Sequence, residues 1–153
     1  MARAFAVLVG LFLLVVAGCG SSPKSVSKAE YQATLQKLGT DLTDAGSQLG
    51  KAIDRATFNR NVQNLQDHLR DAAHQLRGLR PPENVRAAND QLARALRDFA
   101  DELEPVKEAR RQSIIKARDA LARVGRSSAI KEGRDALRKL KRNGYDVGEF
   151  GTL

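Results

Sequence analysis

A single cysteine occurs in the 153 residues, and tryptophan is absent. One cysteine excludes an intrachain disulfide and any metal site built from several thiolates, so the folded part must be held by packing. The four prolines, Pro23, Pro81, Pro82 and Pro105, leave long intervals free to be helical. His68 and His74 are the only two histidines; six residues apart, they lie about 120° from one another around a helix and share no metal-binding face. The sequence has no glycine-rich phosphate loop and no serine in a nucleophile-elbow pattern. Apolar runs are short too. The longest, residues 4–16, is broken only by Gly10 and falls short of a comfortable bilayer span.

That run has a positive segment before it, Met1-Ala2-Arg3, and small residues after it, Val16-Ala17-Gly18-Cys19. In this order the features resemble the signal and lipobox of bacterial lipoproteins. The resemblance implies that residues 1–18 are a signal peptide cleaved between Gly18 and Cys19. It also implies that the Cys19 thiol carries a diacylglyceryl group, placing the protein on the extracytoplasmic face of the cell membrane. Two or more acyl chains anchor stably, at about 0.8 kcal/mol per buried methylene, so the remaining chain is free of that task. Residues 19–27 then form the lipidated cysteine and a small, polar tether interrupted by Pro23. Its root-mean-square span of about 15 Å keeps the domain near the membrane.

Residues 28–153 read as one helical domain. Ser27-Lys28-Ala29-Glu30 is a capping box that opens a first helix over 28–53. Its apolar stripe is Tyr31, Leu35, Leu38, Leu42, Ala45, Leu49 and Ile53. A new register starts at Phe58 and runs through Val62, Leu65, Leu69, Ala72, Leu76 and Leu79. The five-residue step from Ile53 to Phe58 predicts a turn near residues 54–57, with a kinked continuous helix as the alternative. Pro81-Pro82 ends the second helix and opens a third, whose stripe is Val85, Ala88, Leu92, Leu96, Phe99 and Leu103. At Pro105 the register continues through Val106, Ala109, Ile114, Ala117, Leu121 and Val124, which predicts a kink with the helix carrying on. A last helix is expected from Ala129 to about Arg142, facing inward with Ile130, Gly133, Leu137 and Leu140. Beyond Asn143-Gly144 a short irregular tail places Tyr145, Val147 and Phe150 against the end of the bundle, the alternative being an extended strand for a partner. The fold class is therefore all-α: an antiparallel bundle of about four helices, the third long and kinked at Pro105.

Charge is distributed unevenly along the chain. Residues 28–106 hold 11 Lys or Arg against 12 Asp or Glu, whereas residues 107–153 hold 13 against 6. Lys131, Arg134, Arg138 and Lys141 recur at helical spacing in the last helix and are the candidate anion-binding residues. Such a stripe suits acidic lipid headgroups or anionic wall polymers, each cation contributing on the order of 1 kcal/mol near an anionic surface. Nucleic acid is not the expected ligand, since few aromatics stand ready for base stacking and an exported protein rarely meets it.

Metal and cofactor chemistry finds little support in the pattern. Asp71-Ala72-Ala73-His74 resembles the carboxylate-x-x-histidine element of di-iron bundles, but those need two copies and two further carboxylates. With Arg70 and Arg77 nearby, the Asp67, Asp71 and His74 face reads as solvated paired charges. Asp98, Asp101, Glu102 and Glu104 have Arg94, Arg97 and Lys107 within helical reach and read the same way. No cofactor, metal or catalytic residue is expected.

Leu76-Arg77-Gly78-Leu79-Arg80-Pro81-Pro82-Glu83-Asn84-Val85, followed by Leu92 and Leu96, resembles the hinge of small helical lipoproteins of actinobacteria. The stretch Asn143-Gly144-Tyr145-Asp146-Val147-Gly148 is similar to their last-helix ending. The resemblance implies a fold and an address, with no catalytic residues to carry over. The expected function is a non-enzymatic interaction or scaffolding module of the cell envelope, with another envelope protein as partner. The alternative is a binder of anionic ligands through the C-terminal helices.

Overall fold

The structure is a computed structural model that describes residues 25–52 and 54–152. The signal segment 1–18, the Gly18–Cys19 junction, the tether through Lys24, the core position expected at Ile53 and the terminal Leu153 lie outside the described residues.

The described chain folds into helices α1 (Lys28–Gly50), α2 (Arg55–Gly78), α3 (Arg86–Glu102), α4 (Glu104–Gln112), α5 (Ile114–Val124) and α6 (Ser128–Arg142). Short 3-10 turns cover Glu83–Val85 and Gly148–Thr152. The architecture is all-helical and bundle-like, but with more helices than the four expected. Counting α3 and α4 as one helix kinked at Leu103 still leaves five.

Local chemistry accounts for the starts and stops. The Ser27 side chain accepts from the Glu30 amide at 3.2 Å, while the Glu30 carboxylate accepts from the Ser27 amide at 2.8 Å, closing the expected capping box. Helix α1 stops at Gly50, and Asp54 caps α2 by accepting from the Thr57 amide at 2.8 Å. The five-residue step therefore marks a true turn. Val26 is packed against the core and its amide donates to the Arg80 carbonyl at 2.9 Å, so the chain is docked on the bundle two residues before α1 begins.

Pro105 sits in the first turn of α4, where its missing N–H is tolerated. The same missing donor interrupts the ladder from α3, and the bend falls at Leu103. Buried Gln66 of α2 secures the bend: its Nε2 donates to the Ala100 carbonyl at 2.9 Å and to Glu104 at 3.2 Å.

Beyond the kink the expected continuation to Val124 is wrong. Helix α4 ends at Gln112, Ser113 is fully extended (φ −165°, ψ 162°), and α5 folds back along α4, bringing Arg123 beside Pro105. Ser113 caps α5 by accepting from the Lys116 amide at 3.1 Å, and buried Ala117 and Ala120 are small enough for close helix approach. A helical hairpin replaces the long helix.

Helix α2 packs on α1 and α3, and α3 packs on α6. Lys139 reaches Gln91 at 2.7 Å while Gly133 faces Ala95, so α6 runs antiparallel to α3. The bundle is closed by the C-terminal segment, which forms a 3-10 turn and packs along α1 rather than ending irregularly. Tyr145, Val147 and Phe150 are all buried, as is the core formed by Leu35, Leu42, Leu69, Leu76, Leu92 and Leu140. Fully burying each such side chain contributes about 1.5–3 kcal/mol, so the tail's three are a substantial part of the fold.

Candidate functional site

Two ends of the bundle differ in character. At one pole the start of α1, the α2–α3 turn and the start of the tail meet. Tyr31 of α1 donates from its hydroxyl to Asn89 of α3 at 3.0 Å, and Asn89 donates to the Leu76 carbonyl of α2 at 2.9 Å. That carbonyl lies in the last turn of α2, where the helix supplies no partner. The Tyr145 ring meets Tyr31 edge-on, with centroids 5.6 Å apart, and the Lys28 ammonium lies 5.0 Å from the Tyr145 ring centre. Burial is the main cause that pushes the Tyr31 hydroxyl well above its ordinary pKa, with Tyr145 and then Asp90 adding to it. This cluster joins three helices and the tail at the pole where α1 begins.

The opposite pole holds the α1–α2 turn and the α4–α5 hairpin. Arg55 at the start of α2 donates to the Arg111 carbonyl at 3.1 Å, and Lys107 donates to Gln63 at 2.9 Å, so α4 lies along the first half of α2. The Arg110 guanidinium sits 5.8 Å from the Phe58 ring centre. Ile114 and Ile115, at the hairpin tip, are the large hydrophobic side chains that stand out as exposed, at 43% and 67%. Ile114 was expected on the buried stripe and is instead on the surface.

Along α6, Lys131, Arg134, Arg138 and Lys141 are all exposed, as their spacing predicts. They are not equivalent. Arg138 is engaged by Asp135 one turn earlier, whereas Lys131, Arg134 and Lys141 make no ion pair among the described residues. Lys139, Lys141 and Arg142 occupy the last turn, where cations are favoured by the helix dipole whatever else they bind. Arg134 also borders an apolar cavity of about 50 Å³ between α3 and α6, lined by Ala95, Leu96, Phe99, Gly133 and Leu137. A metabolite pocket occupies roughly 300 Å³ or more, so this space reflects the small side chains at Ala95 and Gly133.

Three carboxylates of the acidic cluster are ion-paired, while Glu102 keeps a buried oxygen without a hydrogen-bond partner, and Arg70 turns to Asp101 rather than to the Asp67, Asp71 and His74 face. Asp98 is held by Arg97 at 3.1 Å, Asp101 by Arg70 of α2 at 3.0 Å, and Glu104 by Lys107 at 2.7 Å. Arg94 does not take part in these pairs, contrary to its helical spacing. His68 is bonded to the Asn64 carbonyl at 2.8 Å, and Asp67 accepts from Gln63 at 3.0 Å. Among the described residues no group of three or more His, Cys, Asp or Glu is placed to hold a metal ion. Hydrogen bonds from Lys107 and then Gln66 lower the Glu104 pKa, and those from the Thr57 side chain and amide lower that of Asp54. Both shifts belong to structural contacts, one at the kink and one at a helix cap. No helix among the described residues is long and apolar enough to cross a membrane.

Comparison with protein-family models, with curated proteins and with solved structures found no match to this chain.

Proposed function

We propose that the protein is a lipid-anchored, extracytoplasmic lipoprotein that serves as a non-enzymatic interaction or scaffolding module of the cell envelope. The observation that carries this reading is the ordered signal, small-residue segment and Cys19, followed within nine residues by a capped helix. Val26, packed at one pole, supports it by ending a spacer of seven residues from Cys19, no more than about 25 Å when extended. The bundle would be held close to the membrane from that pole and present its charged faces to another envelope protein. Metabolic labelling with a fatty-acid analogue tests the anchor: label on the wild-type chain and none on Cys19→Ala is the expected result. Fatty-acid label retained by Cys19→Ala, or saturable turnover of a substrate by the purified chain, would overturn the reading.

A second reading rests on Lys131, Arg134 and Lys141, which are exposed on α6 without ion-pair partners among the described residues. Their shared chemistry is recognition of anionic phosphate, in lipid headgroups or in wall polymers. Salt-sensitive binding of acidic vesicles or of purified wall polymer, lost when these residues are neutralised, separates the two sources.

A further inference from the structure

We infer that the tip of the α4–α5 hairpin is a second membrane contact, dipping Ile114 and Ile115 into the acidic bilayer that carries the anchor. The inference rests on the lipid-anchor reading of Cys19 and adds a surface on different residues. Elsewhere among the described residues the large aliphatic side chains are buried or partly buried, yet two adjacent isoleucines at the turn of a hairpin are exposed, at 43% and 67%. They open α5, immediately after extended Ser113, so both sit at the turn of the hairpin. Arg111, Lys116 and Arg118, all exposed, lie within four residues of them along the chain, and exposed Arg55 reaches the Arg111 carbonyl beside the turn. The acidic groups close by are Asp54, committed to capping α2, Glu108, paired with Arg111 at 2.9 Å, and Asp119 on α5. Cations therefore outnumber acids around an apolar point. Aliphatic side chains at a turn, flanked by Arg and Lys, match the acyl boundary and the phosphate layer of an acidic bilayer.

A protein partner or a second copy fits less well. Two part-exposed isoleucines offer on the order of 200 Å², against about 800 Å² on each side of a standard protein interface. A membrane contact needs no such area, because an anchor on the same chain holds the tip at high local concentration.

The two contacts together define a pose. Helix α1 separates the tether pole from the hairpin pole by its 23 residues, about 35 Å. An upright bundle would hold the tip far from the lipid. For both to touch one bilayer, the bundle must lie along the surface.

The chain contains no tryptophan, so Ile115→Trp in the full acylated protein gives a unique probe at an exposed position that folding does not depend on. The protein is reconstituted into vesicles of neutral or mixed neutral and acidic phospholipid, some brominated along the acyl chains. In acidic vesicles the emission moves to the blue and is quenched by bromine, whereas in neutral vesicles and for a control His74→Trp it stays as in water. Charge reversal at Lys116 and Arg118 abolishes the quenching, and neutralising either one lowers the ratio of inserted to free tip about fivefold. Water-like, unquenched emission of Ile115→Trp in acidic vesicles would overturn the inference. So would quenching that appears only when vesicles cluster, since the tip would then lie on an opposing bilayer. The mass of the purified chain reports acylation of Cys19 separately: a chain without the acyl group overturns the anchor reading and this inference with it, whereas an acylated chain with an unquenched tip overturns this inference alone.

Discussion

Gly39 of α1 faces the backbone of Phe150: a Cβ built on Gly39 would lie 2.8 Å from the Phe150 amide nitrogen and 3.3 Å from its ring. The tail can enter the bundle only because position 39 lacks a side chain. Gln36 and Asp146 fix the same approach, with the Gln36 amide donating to the Asp146 carboxylate at 2.8 Å. Asp146 in turn accepts from the Gly148 amide at 2.9 Å, and Gly148 adopts φ +51°, a conformation that glycine takes without strain.

Gly39→Ala is expected to destabilise the protein by about 2 kcal/mol, because overpacking against backbone has no flexible side chain to yield. The sign should reverse in a chain that ends before Gly148. There the clash is gone and alanine gains about 1 kcal/mol over glycine inside a helix. Chemical denaturation of the four proteins in this cycle checks it. Additive effects would mean that the tail does not rest on Gly39.

Much of this was readable from spacing. The stripes on α1, α2 and α3 correspond to buried residues almost position by position, because one-sided burial of a helix demands that period. The hairpin had a cap signal of the same kind as the first turn: Ser113 stands four residues before buried Ala117, as Asp54 stands four before buried Phe58. Ile114, placed on a continuing stripe by the sequence, is exposed in the fold. Gly39 is one of three glycines in α1, with Gly46 and Gly50, and spacing alone does not single it out as the one that the tail approaches. Asn89 and Gln66 were harder to read. Each occupies a core-facing position as a polar residue, and only the tertiary fold shows which carbonyl needs it. For the site, the α6 cations were legible from their spacing, whereas the exposure of Ile114 and Ile115 depends on the reversal at Ser113. Cys19 rests on sequence alone.

Ser113→Ala removes the acceptor for the Lys116 amide and should cost about 1 kcal/mol. The loss belongs mainly to the hairpin, since α5 packs chiefly on α4. Hydrogen exchange is expected to quicken across α5 while the amides of α2 and α3 keep their protection. Uniform acceleration over the whole chain would show that the hairpin and the bundle unfold as one unit.

The space beside Gly133 allows a stabilising change. A Cβ there would meet the Ala95 Cβ at 3.6 Å, an ordinary contact, and would fill part of the cavity between α3 and α6. Gly133→Ala should raise stability by about 1 kcal/mol through helix propensity, with a rise in Tm of roughly 3 °C. Thermal unfolding followed by circular dichroism measures it. An unchanged or lower Tm would mean that α3 and α6 are already in tighter contact than these distances state.

Tyr31 ties stability to alkaline pH. Its folded-state pKa lies above the ordinary 10.0, so as pH rises the unfolded chain loses this proton first. The stabilising effect is complete below about pH 10, falls as pH climbs past the unfolded value, and is gone above the folded one. Tyr31→Phe removes this dependence and leaves the Asn89 oxygen without its donor, at a cost of about 1–3 kcal/mol near neutral pH. The difference in unfolding free energy between wild type and Tyr31→Phe should therefore narrow from pH 8 to about pH 11. A constant difference across that range would mean that the tyrosinate forms in the folded bundle without penalty, which a hydroxyl buried between α1, α3 and the Tyr145 ring does not permit.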